Sequence, residues 1–256
     1  VVVEATGNGH NLRHAREVLG GSVQRVIFTN SPDDHVDFTF VFDVNDHLYD
    51  RAEHRVIAAS ICDVVGMAPV LRRVDEKFGV KRGFITTLHP WLGYQNLMDG
   101  KPSAVEFKDK PEIYEESTYQ VMGRASVGAL IPKNTSAGAA LLKVLPHLEG
   151  RLQAMSYRVP TDVVTTGIVN VELNTDTTTT EVRDFLRSSV VEPYSGYTEE
   201  PLISVDYKHC DTSSVIDGKW VEVLDGNLLR FVAWYDNEWG YSARVVDLVE
   251  HVYEPQ

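Results

Sequence analysis

A chain of 256 residues with 43% hydrophobic and 24% charged side chains has the make-up of a globular protein able to bury a large core. Its formal net charge of −13 argues against nucleic acid and anionic membranes as partners, and no apolar run approaches the length that spans a bilayer. The two cysteines, Cys62 and Cys210, do not make a disulfide framework and suit a reducing compartment such as the cytoplasm.

The opening VVVEATG (1–7) reads as a buried parallel strand running into a turn. A helix is expected over about Leu12–Leu19, ended by Gly20 and Gly21, followed by strands RVIFT (25–29) and DFTFVF (37–42). Together these resemble the tail of a doubly wound α/β domain. His10 and His14 stand four apart on that helix, but no third ligand is placed near them, so no metal centre is expected. The apolar run RVIAAS (55–60) leads into a helix opening at Cys62, where Val64, Met67, Leu71, Val74 and Phe78 share one face. Pro69 inside it predicts a kink, and Gly79 ends it.

GFITTLH (83–89) is strand-like, and EFKDKPEIYEEST (106–118) reads as an acidic surface loop. SAGAALLKVL (136–145) is a helix. VVTTGIVNVEL (163–173) alternates as a half-buried antiparallel strand does. Thr178 and Glu181 form a capping-box pattern, and WVEVLDGNLLRFVAWY (220–235) is a hairpin turning at Asp225-Gly226. A last helix is expected over about Tyr241–Val252. The expected fold is an α+β domain with a mainly antiparallel sheet, preceded by the C-terminal remnant of a doubly wound, Rossmann-like α/β domain. The divisions fall at 1–60, 61–240 and 241–256, the last a helix returning to the first part.

Cys62 and His89 are the residues most suggestive of chemistry. A thiol at a helix N-terminus feels the positive end of the macrodipole, and an imidazole across a cleft can activate it. On spacing alone, a lone cysteine is more often a small buried hydrophobe. Arg158 alone would be a surface arginine, and Thr135 and Ser136 a plain helix start that also makes an anion site.

The flanking strings change the balance. VVVEATG (1–7), SICDVVGMAP (60–69), TTLHPWLGYQ (86–95), LIPKNTSAGAALLKVLPHL (130–148), AMSYRVPT (154–161), GYTEEPLISVDY (196–207) and WYDNEWGYSARVVDL (234–248) resemble the glyceraldehyde-3-phosphate dehydrogenase family, erythrose-4-phosphate dehydrogenase included. The resemblance runs nearly end to end, and the string around Trp234 is its most specific part.

It implies an oxidoreductase that oxidises an aldehyde through a thiohemiacetal and a thioester, passing hydride to NAD or NADP. Cys62 falls at the family's nucleophile and His89 at its general base. Arg158, Thr135 and Ser136 fall at anion-binding positions. Asn237 and Tyr241 fall beside the nicotinamide, and Thr6 and Gly7 at the last contacts of the nucleotide-binding domain. A phosphorylated aldehyde, a homo-oligomer (a tetramer in the family) and a cytoplasmic setting are implied as well.

Three departures qualify this. There is no G-x-G-x-x-G, the nearest string being GNGHNLRH (7–14), so the chain looks like the family without about its first quarter. After the nucleophile, Asp63, Val64 and Val65 replace two threonines and an asparagine, and Asp63 should raise the thiol pKa and repel phosphate unless it merely caps the helix. Leu92 and Tyr94 replace phosphate-binding threonines, and the loop between His89 and Thr135 is about fourteen residues longer than usual. These changes leave phosphate or water open as the acyl acceptor. They also leave two rival readings, a catalytically weak relative kept for assembly or regulation, and a plain thiol hydrolase.

Overall fold

The structure, a computed structural model, describes residues 1–93, 95–100 and 123–253. The acidic stretch 106–118 and Tyr94 lie outside the described residues.

The first sixty residues build a four-stranded parallel sheet from β1 (Val2–Glu4), β2 (Val26–Phe28), β3 (Phe38–Thr39) and β4 (Val56–Ala58), in the order β1-β2-β4-β3. β2 and β4 are buried throughout, as central parallel strands are. β1 was expected to be buried and is not. It pairs on one side only, and Val2 and Val3 are 39% and 42% exposed. The strand expected over 37–42 is cut to two residues because Asn45 takes over its backbone. The Asn45 side chain accepts from Val41 N–H at 2.9 Å and donates to Thr39 O at 2.8 Å. The expected helix 12–19 begins earlier and breaks. Asn8 caps α1 (Gly9–Arg13) by accepting from His10 N–H, and the chain then leaves helical geometry at His14 for a 3₁₀ turn over Ala15–Val18.

α2 (Cys62–Phe78) follows β4 at once. It runs as one element through Pro69, and all but five of its residues are buried, so it is a core helix rather than an amphipathic one. Gly79 ends it at φ 72°, where the Asp75 carboxylate accepts from Val80 N–H.

The chain then enters an eight-stranded sheet. Its strands are β5 (Val80–Pro90), β6 (Ile131–Asn134), β7 (Leu152–Val159), β8 (Thr165–Leu173), β9 (Gly196–Thr198), β10 (Val215–Asp217), β11 (Glu222–Leu224) and β12 (Leu228–Tyr235), in the order β6-β7-β5-β8-β12-β10-β9, with β11 on β12. Only β5–β7 and β9–β10 are parallel, so the sheet is mainly antiparallel and the fold is α+β as expected. The β11–β12 hairpin turns at Asp225 and Gly226, both at positive φ.

α3 (Ala137–Val144) starts one residue later than expected, and α4 (Thr179–Ser188) shows half a capping box. Thr178 accepts from Glu181 N–H, while the Glu181 carboxylate bonds the Thr177 hydroxyl instead of reaching back to the cap backbone. α5 (Trp239–Val252) buries Val245, Leu248 and Val252 against the small sheet, together with Ile27, Phe40 and Ile57. Among the described residues, no helix is long and apolar enough to cross a membrane.

Candidate active site

One face of the large sheet is buried beneath α2. Along β5 the inward residues are Ile85, Thr87 and His89; along β7, Ala154, Ser156 and Arg158; along β6, Ile131 and Lys133. The register sets them side by side. His89 pairs with Arg158 and Thr87 with Ser156 across β5–β7, and Lys133 pairs with Ser156 across β6–β7. Paired residues in a sheet share a face, so His89, Arg158 and Lys133 project toward the same side. Thr87 and Ser156 join hydroxyls at 2.8 Å in the layer below.

Two glycines set how closely α2 approaches that face. A Cβ on Gly167 of β8 would lie 2.6 Å from Met67 Sδ, and a Cβ on Gly66 would lie 2.7 Å from the Tyr235 ring. The close approach packs the Tyr235 ring against α2 at Gly66, and its hydroxyl donates to Asp63 Oδ1 at 2.8 Å. Asp63 is therefore not the helix cap. Ile61 holds that position, with no side-chain capping bond, and the Asp63 carboxylate turns inward.

Cys62, at the first position of α2, brings its Sγ to 3.8 Å from His89 Nε2. His89 Nδ1 lies 2.8 Å from the Pro90 carbonyl, which can only accept, so Nδ1 carries the proton and the Nε2 lone pair faces the sulfur. A carboxylate oxygen of Asp63 completes a cluster in which the three donor atoms lie within 4.8 Å of one another.

The electrostatics differ from a thiolate–imidazolium pair. Burial, then the Asp63 charge beside it, pushes the Cys62 thiol up, outweighing the backbone N–H groups of the helix start; the residue as a whole is half-buried, but its surroundings are dense. Burial, with the Arg158 and Lys133 charges, lowers His89 to about 4. The resting pair is thus a neutral thiol and a neutral imidazole. Burial also raises Asp63, opposed by the Tyr235 hydroxyl and by Arg158 and Lys133. Tyr235 is raised well above its usual value by burial and by Asp63.

The remaining candidates fall into three groups. The Thr135 hydroxyl, one residue before the cap of α3, accepts from Ala137 N–H, while the cap residue Ser136 is exposed and makes no capping bond; both follow directly on the strand bearing Lys133. Asn237 is buried and its Oδ1 accepts from the Thr165 hydroxyl, which aims its NH₂ away from Thr165. The Tyr241 hydroxyl donates to Ser60 O at 3.1 Å, two residues before Cys62, and its ring lines a groove with Val3, Ala5 and Thr29. Ser60 itself is fully buried at φ 58°, a strained turn that delivers Cys62 to the helix start. Thr6 and Gly7 are exposed at the end of β1; the Thr6 hydroxyl bonds Glu4 and accepts from Asn11, and Gly7 has φ 67°.

Sequence reasoning missed Lys133 and Tyr235. Tyr235 was within reach: it continues the inward period of Leu229, Phe231 and Ala233 on β12. Lys133 carried no such signal, because β6 is only four residues long and begins Ile-Pro.

Residues 61–237 match the family described as glyceraldehyde 3-phosphate dehydrogenase, C-terminal domain. Glyceraldehyde-3-phosphate dehydrogenase 1 of Bacillus cereus is 38% identical over 255 residues, covering 98% of this chain and 72% of that protein. Glyceraldehyde-3-phosphate dehydrogenase 2 of Bacillus subtilis (strain 168) is 36% identical over 255 residues, with 98% and 70% covered. Glyceraldehyde-3-phosphate dehydrogenase 2 of Nostoc sp. (strain PCC 7120 / SAG 25.82 / UTEX 2576) is 34% identical over 259 residues, with 99% and 72% covered. With its matched region opening at the turn into Cys62 and closing at Asn237, this chain belongs to the glyceraldehyde-3-phosphate dehydrogenase family.

Proposed function

We propose that the chain carries the catalytic part of an aldehyde dehydrogenase working through Cys62. The observation that carries this reading is the 3.8 Å approach of Cys62 Sγ to a His89 Nε2 that keeps its lone pair. His89 takes the thiol proton as the sulfur bonds the aldehyde carbon, and the carbonyl oxygen becomes the hydroxyl of a thiohemiacetal. Its lowered pKa keeps the imidazole free to act as a base at neutral pH. A nicotinamide dinucleotide, when bound, supplies the hydride acceptor. Release of the hydroxyl proton leaves a thioester at Cys62. Water or phosphate then attacks the thioester carbon, the C–S bond breaks, and the acceptor's proton restores the Cys62 thiol; the product is the acid with water and the acyl phosphate with phosphate.

Arg158 and Lys133 share the sheet face with His89 and suit an anionic group on the substrate or on the acceptor. Asn237 and Tyr241 suit the nicotinamide end of the cofactor, and Thr135 and Ser136 a second anion position. The pyrophosphate end has no glycine-rich counterpart in this sequence. The reading includes NAD or NADP, a phosphorylated aldehyde, a homo-oligomer, a cytoplasmic setting and the division at residues 60 and 240. The raised thiol pKa favours a second reading, a slow or silent relative, because it keeps the nucleophile protonated.

The test is stoichiometric alkylation of metal-free chain with iodoacetamide, followed by aldehyde-dependent reduction of dinucleotide at high dinucleotide concentration. Aldehyde-dependent reduction that is lost once Cys62 is labelled is expected. No aldehyde-dependent reduction by the unlabelled chain would leave the silent relative.

A further inference from the structure

Asp63 has no part in the thioester chemistry above, although it lies at the centre of the site. We propose that Cys62, Asp63 and His89 form a binding site for a divalent metal ion of the zinc class, and that occupancy masks the nucleophile. The masking, though not the binding, rests on the dehydrogenase reading.

The donor set suits such an ion. A thiolate sulfur, an imidazole nitrogen and a carboxylate oxygen are each accepted by zinc, and three protein ligands leave a fourth position for water. The geometry suits it too. Zinc–sulfur and zinc–nitrogen bonds of about 2.3 and 2.0–2.1 Å at a tetrahedral angle separate the two donors by about 3.6 Å. Cys62 Sγ and His89 Nε2 are 3.8 Å apart, and the Asp63 oxygen lies within 4.8 Å of both. Binding requires the Cys62 and Asp63 side chains to turn slightly to close the remaining gap.

The surroundings supply outer partners that orient the ligands. The Pro90 carbonyl fixes the His89 tautomer that exposes Nε2, and the Tyr235 hydroxyl holds one Asp63 oxygen and leaves the other. Asp63 and His89 are 5% and 6% exposed, so the ion would sit out of bulk water.

Arg158 and Lys133 also act on this cluster, the first on all three ligands and the second on Asp63 and His89. Two cations facing two anionic ligands weaken the hold on a dication and make it reversible, as a regulated nucleophile requires. On binding, the Cys62 S–H bond breaks and its electron pair passes to the metal. The proton leaves to solvent, as does any proton on Asp63. His89 gives its Nε2 lone pair without losing a proton, and no atom changes oxidation state. No spacing pattern flagged this set, because His89 is 27 residues from Cys62 and on a different element.

The test is titration of the 256-residue chain with Co²⁺, which reports its ligands by absorption, and with Zn²⁺ in competition. One Co²⁺ per chain is expected, with a sulfur-to-cobalt charge-transfer band and d–d bands of tetrahedral intensity. Cys62→Ser should abolish the charge-transfer band and Cys210→Ser should keep it. Asp63→Asn should weaken binding by at least about tenfold, the lower end of what losing even an outer-shell partner costs. Zn²⁺ should slow alkylation of Cys62 in the wild type. No charge-transfer band in folded wild type, a band surviving Cys62→Ser, or equal affinity for Asp63→Asn would each overturn the proposal. Should circular dichroism show Asp63→Asn unfolded, protection of wild-type Cys62 by Zn²⁺ decides. Alkylation of metal-free Cys62 tests the nucleophile separately, so one reading can fail while the other stands.

Discussion

Gly66→Ala perturbs the contact between α2 and the sheet at the point that aims Tyr235 at Asp63. Two effects oppose each other. Replacing a helix-interior glycine by alanine should stabilise α2 by about 1 kcal/mol through reduced backbone entropy in the unfolded chain. The added Cβ, however, would lie 2.7 Å from Tyr235 Cδ1 and Cγ and 3.0 Å from Cδ2. Those atoms belong to a buried ring rather than a flexible tip, and Tyr235 is 2% exposed. Either the ring moves or α2 lifts, and overpacking of this kind costs about 1–3 kcal/mol. If the ring moves, the 2.8 Å bond from Tyr235 to Asp63 goes with it, at about 1.5–3 kcal/mol for a hydrogen bond to a charged group. The clash and the lost bond together outweigh the propensity gain, leaving a net loss of about 2–4 kcal/mol.

Urea denaturation followed by circular dichroism measures this, with Tyr235→Phe as partner in a double-mutant cycle. In the wild-type background Tyr235→Phe should cost the hydrogen bond. In the Gly66→Ala background it should cost less, because the bond is already broken. Stabilisation of Gly66→Ala by about 1 kcal/mol would show that helix propensity decides at this position and that the Gly66–Tyr235 contact does not position Asp63.

Asp63→Asn, assayed in chelator, should speed iodoacetamide alkylation of Cys62 by about tenfold at pH 8. A unit charge about 5 Å away is worth about 3 kcal/mol at an effective dielectric of about 20, and the accompanying fall in thiolate nucleophilicity removes about half of that gain; an unchanged rate would mean that Asp63 is neutral there. His89 gives a pH signature. Its folded pKa of about 4 lies below the unfolded value of about 6.5, so the unfolded chain binds more protons between them. Stability is therefore full above about pH 6.5 and falls by up to about 3 kcal/mol as pH drops toward 4. His89→Gln should flatten that part of the urea-midpoint profile, and an unaltered slope would place the acid sensitivity elsewhere.

The fold was legible where burial alone sets the pattern. β8 alternates from Gly167 to Leu173, the Asp225-Gly226 turn has the chemistry its backbone needs, and α2 repeats its apolar residues over four turns. It was not legible where a polar side chain competes with the backbone. Asn45 ended β3, and Asn8 moved the start of α1. Exposure of β1 escaped too, because VVV reads alike in a central and an edge strand. At the site, the adjacency of Cys62 and His89 followed from the family strings, but the inward turn of Asp63 did not. It depends on a tyrosine 172 residues away and on the absence of a side chain at Gly66.

The polar residues around Cys62 come from α2 and five strands, yet strand register places most of them. His89 faces Arg158, Ser156 faces both Thr87 and Lys133, and Thr165 faces Tyr235, all on the side of the sheet that α2 covers. A one-residue slip of β7 against β5 would send Arg158 and Ser156 to the outer face, where Phe84 and Met155 are exposed. The same slip would push Gln153 and Met155 into the core beside Ile85 and Thr87. The hydrophobic core that fixes the register therefore also fixes the charges about Cys62. This explains how the site can carry an aspartate at position 63 without losing the Cys62–His89 geometry. Asp63 belongs to α2, its partner Tyr235 belongs to β12, and neither lies in the β5–β7 pairing that holds His89 beside Arg158. Substitutions at 63 should accordingly change the charge at the sulfur and leave the placement of the imidazole intact.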